Sequence, residues 1–158
     1  MPDITIYVDA DACPVKDETY RVAERYGLRV VLVADQWLRV PPEDWIEVDV
    51  VKGDFDAADD RIVERVRADD IVITADIPLA ARCLDKGARV LGHRGKPFDE
   101  RSIGSALATR ELLSQLRDMG EITGGPAPFQ KKDRSEFLQA LDRMVHAVRK
   151  GVVGRGQG

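Results

Sequence analysis

Acidic residues recur at three points of the sequence where an apolar segment ends or a helix begins. Asp9 and Asp11 follow the first apolar segment, and Asp76 follows a later one at 71–73. A third group surrounds a predicted helix start, and consists of Asp54, Asp56, Asp59 and Asp60. Carboxylates that lie close together tend to hold a divalent cation or to raise one another's pKa. Because these ligands are oxygens, we expect Mg²⁺ or Mn²⁺ as cofactor, and phosphodiester hydrolysis as the reaction.

Each of these acids also has an ordinary structural interpretation. Asp56, with Asp59 three residues later, has the spacing of a helix N-terminus, and Asp76 is placed to be an N-cap. Asp9 and Asp11 are acceptable as the end of a strand. The coincidence of three strand ends favours a common site, since the carboxyl ends of parallel strands meet at one edge of a sheet. We therefore predict that Asp9, Asp11, Asp56, Asp59 and Asp76 are metal ligands.

Basic residues are candidates for contacts with phosphate. Lys16 lies in the first turn of a predicted helix, where the helix dipole disfavours a cation, which is a small indication of a nearby phosphate or carboxylate; a solvated side chain is the more common alternative. Lys131 and Arg134 lie in a basic segment that can contact a nucleic-acid backbone, although solvated surface is the alternative. A turn at Gly124-Gly125-Pro126 is a weaker candidate for binding phosphate through backbone N–H groups.

Aromatic and sulfur-containing side chains offer further alternatives. Trp37, Trp45 and Phe129 can stack on bases or cover the core. Cys13, at a helix start, is a possible nucleophile, but neither histidine lies in the acidic segments to act as its base. Cys13 and Cys83 have no CxxC or Cys/His spacing, which argues against a disulfide, a disulfide-linked partner and a zinc site.

Composition limits the class of protein. The chain of 158 residues is long enough for one domain, predicted over 1–150, followed by a disordered tail at 151–158. No apolar run approaches about 18 residues, which predicts a cytoplasmic protein without a membrane partner. Residues 1–120 carry 17 basic and 24 acidic residues, whereas 121–158 carry 7 and 4. The net charge of −4 argues against non-specific coating of nucleic acid.

The elements that must position these residues alternate between strand and helix. Short apolar segments predict strands at 4–8, 30–33, 48–51, 71–73 and 89–91. Helices are predicted from Pro14 to a stop at Gly27, from Asp56, from Pro78 to Lys86, and then over 101–119 and 135–150. This alternation predicts an α/β fold with a mostly parallel central sheet, helices on both faces, and additional C-terminal helices.

Three motifs together carry a resemblance to a known family. They are Asp9-Ala10-Asp11-Ala12-Cys13-Pro14, Asp56-Ala57-Ala58-Asp59 and Thr74-Ala75-Asp76-Ile77-Pro78-Leu79-Ala80. With these motifs, and with segments 38–41 and 123–126, nearly the whole chain resembles the bacterial YaiI/YqxD family. The resemblance implies a three-layer α/β/α fold similar to PIN and NYN nuclease domains. In those domains, acids at strand ends hold Mg²⁺ or Mn²⁺ for hydrolysis of RNA.

The resemblance also implies roles for particular residues. Asp9 matches the first PIN acid, Asp59 the helix acid and Asp76 the acid that follows Thr74, so these three acids are the predicted catalytic residues. The match is incomplete, because the helix after Asp76 offers no fourth acid before Asp85. Asp11 or Asp56 is an alternative for that role. The predicted substrate contacts are Lys16, Thr74, Lys131 and Arg134.

Two other functions compete with a nuclease. Asp9-x-Asp11 after an apolar strand resembles the nucleophile motif of haloacid-dehalogenase-type phosphatases, and Thr74 resembles their second motif. The order of the acids counts against that class, since no acid pair follows the threonine. The second alternative is a non-catalytic domain that binds RNA or a protein on a nuclease-like scaffold. The sequence does not indicate an oligomeric state.

Overall fold

One six-stranded sheet forms the centre of the protein. A computed structural model describes residues 4–122 and 127–157, with side chains as far as Gly151. The strands are β1 (Thr5–Asp9), β2 (Arg29–Ala34), β3 (Ile46–Val50), β4 (Ile71–Ile73), β5 (Arg89–Leu91) and β6 (Pro97–Phe98). The helices are α1 (Lys16–Tyr26), α2 (Ala57–Arg65), α3 (Ile77–Asp85), α4 (Glu100–Asp118) and α5 (Lys131–Gln157).

The strand order places β1 and β4 side by side in the middle of the sheet. The order is β3-β2-β1-β4-β5-β6, with all pairs parallel except β5 and β6. In register, Val8 of β1 lies opposite Ile73 of β4, and Asp9 opposite Val33 of β2. The chain winds outward in opposite directions from β1 and from β4. Their carboxyl ends are therefore the switch point at which open α/β sheets bind ligands.

Helices cover both faces of the sheet. On one face α1 and α5 pack through Val22, Phe137 and Leu141 against the β1 side chains Ile6 and Val8. On the other face α2 and α3 contribute apolar side chains to a second core, which are Ile62, Val66, Leu79, Ala80 and Cys83. Helix α4 lies beside α3 and buries none of its own side chains fully. The predicted α/β fold, with a mostly parallel sheet and C-terminal helices, is confirmed as three layers.

Local sequence signals explain several helix ends. Gly27 ends α1 in the left-handed region at φ 67°, and its N–H donates to Ala23 and Glu24. Asp99 caps α4 by accepting from the Ser102 N–H, while the Ser102 hydroxyl accepts from the Asp99 N–H. This reciprocal pair is a capping box.

Some elements differ from the sequence prediction. Strand β6 was not predicted, because two residues carry no periodic signal. Helix α5 begins at Lys131 rather than Ser135 and extends past Lys150. The domain boundary at residue 150 and the disordered tail at 151–158 stay predictions. The turn at Gly124-Gly125-Pro126 lies outside the described residues. Within 4–122 and 127–157, no helix is long and apolar enough to cross a membrane.

Candidate functional site

A buried hydroxyl joins the Asp9 carboxylate to the start of α3. Thr74 directly follows β4 and its side chain is fully buried. Its Oγ1 donates to Asp9 Oδ2 at 2.8 Å and accepts from the Asp76 backbone N–H at 3.0 Å. The hydroxyl therefore ties the carboxyl ends of β1 and β4 together at the switch point. Thr74 positions its neighbours and has no exposed surface for a substrate.

Asp76 is the N-cap of α3, as its sequence context predicts. Its Oδ1 accepts from the Leu79 N–H at 3.0 Å. Capping occupies one oxygen of the carboxylate, and the other oxygen makes no hydrogen bond with the described residues. The cap and ligand interpretations of Asp76 are thus compatible in one side chain.

Asp59 lies in the first turn of α2, close enough to Asp9 and Asp76 to respond to their charges. Its pKa is raised to about 6, mainly by burial and then by the negative charges of Asp76 and Asp9. Burial also raises the pKa of Asp9, the Thr74 hydrogen bond lowers it, and the charge of Asp76 raises it again. These charge effects indicate that the three predicted catalytic acids lie at the same edge of the sheet.

Asp56 occupies the N-cap position of α2 without acting as a cap. Its backbone, at φ −97° and ψ 8°, is not extended, and its side chain makes no capping hydrogen bond. The N-cap interpretation of Asp56 is therefore correct in position but wrong in bonding. Its negative charge adds to the rise in the Asp59 pKa. Asp60, directly after Asp59, forms an ion pair with Arg82 of α3 at 2.9 Å.

Ion pairs fix α2, and therefore Asp59, on the sheet. Arg65 pairs with Glu47 at 2.6 Å and with Asp49 at 2.9 Å, both on β3. Arg61 also reaches Asp49, at 3.2 Å. Hydrogen bonds from Arg65 lower the pKa of Glu47. A cluster with two arginines and two acids orients the helix more firmly than one exposed pair can.

A second acidic pair lies beside the first site. The pKa of Asp11 is raised mainly by partial burial and then by the charge of Asp35, and Lys16 lowers it. Lys16 is thus close to a carboxylate, one of its two predicted neighbours. A cavity of about 440 Å³ adjoins this pair and is also lined by Lys52, Asp54 and Phe55. Sequence reasoning missed Asp35, although Asp35 directly follows an apolar strand, the same signal that identified Asp9.

The acidic side chains at this edge of the sheet have the chemistry of ligands for a divalent cation. Its donors are carboxylate oxygens, the type that Mg²⁺ and Mn²⁺ prefer. Over the described ranges, no group of three or more His, Cys, Asp or Glu side chains is arranged to hold a metal ion. Mg²⁺ usually keeps several waters and is bound by one or two carboxylates together with substrate phosphates. The residues therefore fit a cation of this kind by chemistry, without forming an all-protein cage.

The other two predicted substrate contacts, Arg134 and Lys131, lie on α5. The Arg134 guanidinium donates to the Pro14 carbonyl at 2.5 Å, lies 3.6 Å from the Glu18 carboxylate, and stacks over Phe129. These contacts attach α5 to the start of α1, so Arg134 has a structural role. Lys131 is exposed at the first residue of α5.

The aromatic candidates divide into covered and exposed side chains. Trp45 and Phe129 are partly buried against the core. Trp37 is 69% exposed after β2, and Phe55, which sequence reasoning did not select, is fully exposed before α2. Trp37 and Phe55 are thus exposed enough to stack on bases.

The two cysteines are free and lie in separate cores on opposite faces of the sheet. Burial raises the pKa of the Cys13 thiol, and raises that of Cys83 to about 12. A nucleophilic Cys13 would require a lowered thiol pKa, and the raised pKa in this fold argues against that role.

Comparison with known proteins places the chain in a family. Residues 7–147 match the family described as "Uncharacterized BCR, YaiI/YqxD family". The chain belongs to the YaiI/YqxD family. It is similar to UPF0178 proteins from Paramagnetospirillum magneticum (57% identity, 93% of this chain and 97% of the relative) and Nitrobacter winogradskyi (55% identity, 98% and 99%). The matched range spans the positions of the three acids and Thr74, and the match confirms the resemblance to the YaiI/YqxD family drawn from the sequence motifs.

Proposed function

We propose that the protein is a divalent-metal-dependent hydrolase of phosphodiester bonds in RNA. Asp9, Asp59 and Asp76 are its catalytic and cation-binding residues, and Mg²⁺ or Mn²⁺ is its cofactor. The observation that carries the proposal is the Thr74 hydroxyl bridge between Asp9 and the Asp76 backbone at the sheet's switch point. The cytoplasmic location and the likeness to PIN and NYN nuclease domains belong to the same proposal.

The bridge prepares Asp9 to act as a ligand. Thr74 holds Asp9 Oδ2, whereas Asp9 Oδ1 makes no hydrogen bond with the described residues. Asp76 likewise uses Oδ1 for its cap. In each carboxylate, one oxygen is held by a hydrogen bond within the fold, and this bond fixes the orientation of the second oxygen. Ligand atoms that are already oriented lower the entropy cost of binding a cation.

Charge favours a cation at the same position. The negative charges of Asp76 and Asp9 raise the pKa of Asp59. A positive charge between these carboxylates would reduce their mutual repulsion. When bound, a divalent cation supplies a charge that stabilises phosphate oxygens and a means of activating water. Asp56 and Asp11 lie at the periphery of the site: the charge of Asp56 adds to the rise in the Asp59 pKa, and Asp11 lies near the charges of Asp35 and Lys16.

Local backbone strain supports a functional loop between Asp9 and α1. Ala12 has φ 60°, in the left-handed region, which costs a non-glycine residue about 1–3 kcal/mol. Strain of this kind persists where surrounding structure fixes it, and it is concentrated at functional sites. The loop carries Asp11 on one side of Ala12 and Cys13 on the other.

No specific observation favours either alternative. In a haloacid-dehalogenase-type phosphatase Thr74 would need a hydroxyl free for phosphate, but both of its bonds are made within the fold. A non-catalytic binding domain accounts for the fold and leaves the gathering of three acids unexplained.

The test is cleavage of end-labelled, unstructured RNA with Mg²⁺, Mn²⁺ or EDTA. Wild type should cleave only with a cation. Asp9→Asn and Asp76→Asn should lose at least about a hundredfold in rate, since losing a few kcal/mol of charge stabilisation has that effect. Asn is as good an N-cap as Asp, so Asp76→Asn keeps α3 capped.

Asp85→Asn is the matched control, because Asp85 is exposed at the opposite end of α3 from Asp76. It should cleave as wild type does. Absence of cleavage by wild type with either cation would contradict the proposal and leave the binding domain as the better account.

A further inference from the structure

We infer that a groove along α4 holds the RNA strand that enters the acidic site. This inference rests on the proposed function for the identity of the ligand. The groove has a volume of about 930 Å³ and lies between α4, β6 and the start of α3. Its lining includes Ala75 and Ile77, the two neighbours of Asp76 in sequence. A strand lying in the groove therefore passes beside the segment that carries Asp76.

Unpaired cations line this groove. They are Lys96, Arg101, Arg110 and Arg117, all exposed, and none forms an ion pair with the described residues. The only acid among the lining residues is Asp99, whose carboxylate accepts from the Ser102 N–H at 2.8 Å. Elsewhere, arginines such as Arg61 and Arg65 pair with acids. In a protein of net charge −4, a groove with four unpaired cations is a local feature suited to a polyanion.

The groove also has apolar surface between these charges. Ile77, Phe98, Ala106 and Leu113 contribute to the lining, with Phe98 partly exposed. Proteins that bind single-stranded nucleic acid combine cations for the phosphates with apolar and aromatic surface for the bases. Both components are present along α4.

The dimensions match a short single strand. Arg101 and Arg117 are sixteen residues apart on one helix, which corresponds to about 24 Å along its axis. That length matches roughly seven phosphates at the duplex spacing of about 3.4 Å per nucleotide, and fewer in an extended strand. Single-strand sites of about 4–16 nucleotides are usual.

A protein partner fits the groove less well than RNA. The most exposed apolar side chains on α4 and directly after it are Leu112 and Met119, and neither lines the groove. The groove is instead lined by exposed cations and by the sequence neighbours of Asp76. Charge complementarity therefore assigns it to the phosphate backbone.

The test measures binding separately from cleavage. Fluorescence anisotropy with a labelled oligouridine of twelve nucleotides, in EDTA, gives affinity over a series of salt concentrations. Arg110→Gln with Arg117→Gln should weaken binding about tenfold or more at about 50 mM salt. It should also lower the slope of log affinity against log salt by about 1.4, since each phosphate contact on a single strand contributes about 0.7. Arg110→Lys with Arg117→Lys should keep the slope.

The matched control is Arg21→Gln with Arg143→Gln, two exposed arginines of α1 and α5 on the opposite face of the sheet. It removes the same charge and should bind as wild type does. Circular dichroism verifies folding, and Lys96→Gln with Arg101→Gln provides a second groove variant that should show the same loss.

Each outcome separates the two claims. Equal binding by wild type and both groove variants, or no binding by wild type, overturns the groove assignment. Cleavage by wild type together with unaffected groove variants overturns the groove alone. Groove-dependent binding without cleavage in Mg²⁺ or Mn²⁺ keeps the groove and contradicts the proposed hydrolase.

Discussion

Thr74 Oγ1 lies 2.8 Å from Asp9 Oδ2, a hydrogen bond between residues 65 positions apart in the sequence. The same hydroxyl accepts from the Asp76 N–H, so one buried atom orients two of the three acids. Parallel pairing brings β1 and β4 together, and the hydroxyl fixes how their side chains meet. Our predictions begin with this contact.

Thr74→Val should destabilise the protein by about 1–3 kcal/mol. Valine has the shape of threonine, but it leaves the Asp76 N–H without its acceptor and removes a hydrogen bond from Asp9, and an unsatisfied buried group costs about this much. Urea unfolding measures the change. The control is Thr19→Val, since the buried Thr19 hydroxyl donates only within its own helix to the Val15 carbonyl, which also accepts from the Thr19 N–H. A Thr74→Val loss no larger than that of Thr19→Val would refute the bridging role.

Asp59 should make stability depend on pH in the absence of cations. Its folded-state pKa of about 6 exceeds its ordinary value of 3.8. The folded state therefore binds the proton more tightly, and stability falls as pH rises from about 4 to about 6, with the loss complete above that range. Asp59→Asn removes this loss. Its free energy of unfolding should therefore exceed that of wild type by about 1 kcal/mol near neutral pH, a value reduced for solvent screening of this partly exposed side chain, and should equal it near pH 4.

Denaturant unfolding in EDTA across that pH range measures the difference. Asp85→Asn serves as a control. A difference between Asp59→Asn and wild type that stays constant with pH, or that favours wild type near neutral pH, would contradict a raised pKa for Asp59 in the folded protein.

Two glycines should respond oppositely to alanine. A Cβ at Gly95, which has φ 87°, would lie 2.8 Å from backbone atoms of Glu136 at the start of α5. Gly95→Ala should therefore cost several kcal/mol through clash and strain. Gly104 lies within α4 with open space around it, so Gly104→Ala should stabilise by about 1 kcal/mol. Thermal unfolding distinguishes them, and equal effects would mean that α5 does not pack on Gly95.

Both cysteines should be slow to react in the folded protein. Burial raises the pKa of each thiol, and only the thiolate is nucleophilic. We expect Ellman's reagent at neutral pH to label native protein at least about a hundredfold more slowly than urea-unfolded protein. Rapid labelling of Cys13 in native protein would reopen the question of a nucleophilic role.

Sequence patterns predicted the elements better than their contacts. The apolar runs at 71–73 and 89–91 coincide with β4 and β5, and Gly27 ends α1 as expected. Those signals are local, because burial and left-handed backbone conformations restrict residue type at single positions. Asp76 as N-cap was predictable for the same reason.

The features that sequence reasoning missed depend on the packing of distant segments. Arg134 was predicted to contact phosphate, but α5 packs against α1 and directs its guanidinium to Pro14 and Glu18. Thr74 was predicted to contact substrate and is instead buried between Asp9 and the start of α3. The groove combines Lys96 with arginines spread over α4, a grouping that exists only once α4 lies beside α3.

The most direct test of the central claim is a calorimetric titration of metal-free protein with Mn²⁺. If Asp9, Asp59 and Asp76 form one cation site, wild type and Asp85→Asn should show the same saturable binding, and Asp9→Asn should bind at least about tenfold more weakly. Absence of saturable binding in wild type, or equal affinity in wild type and Asp9→Asn, would contradict the assignment of these acids to a cation site.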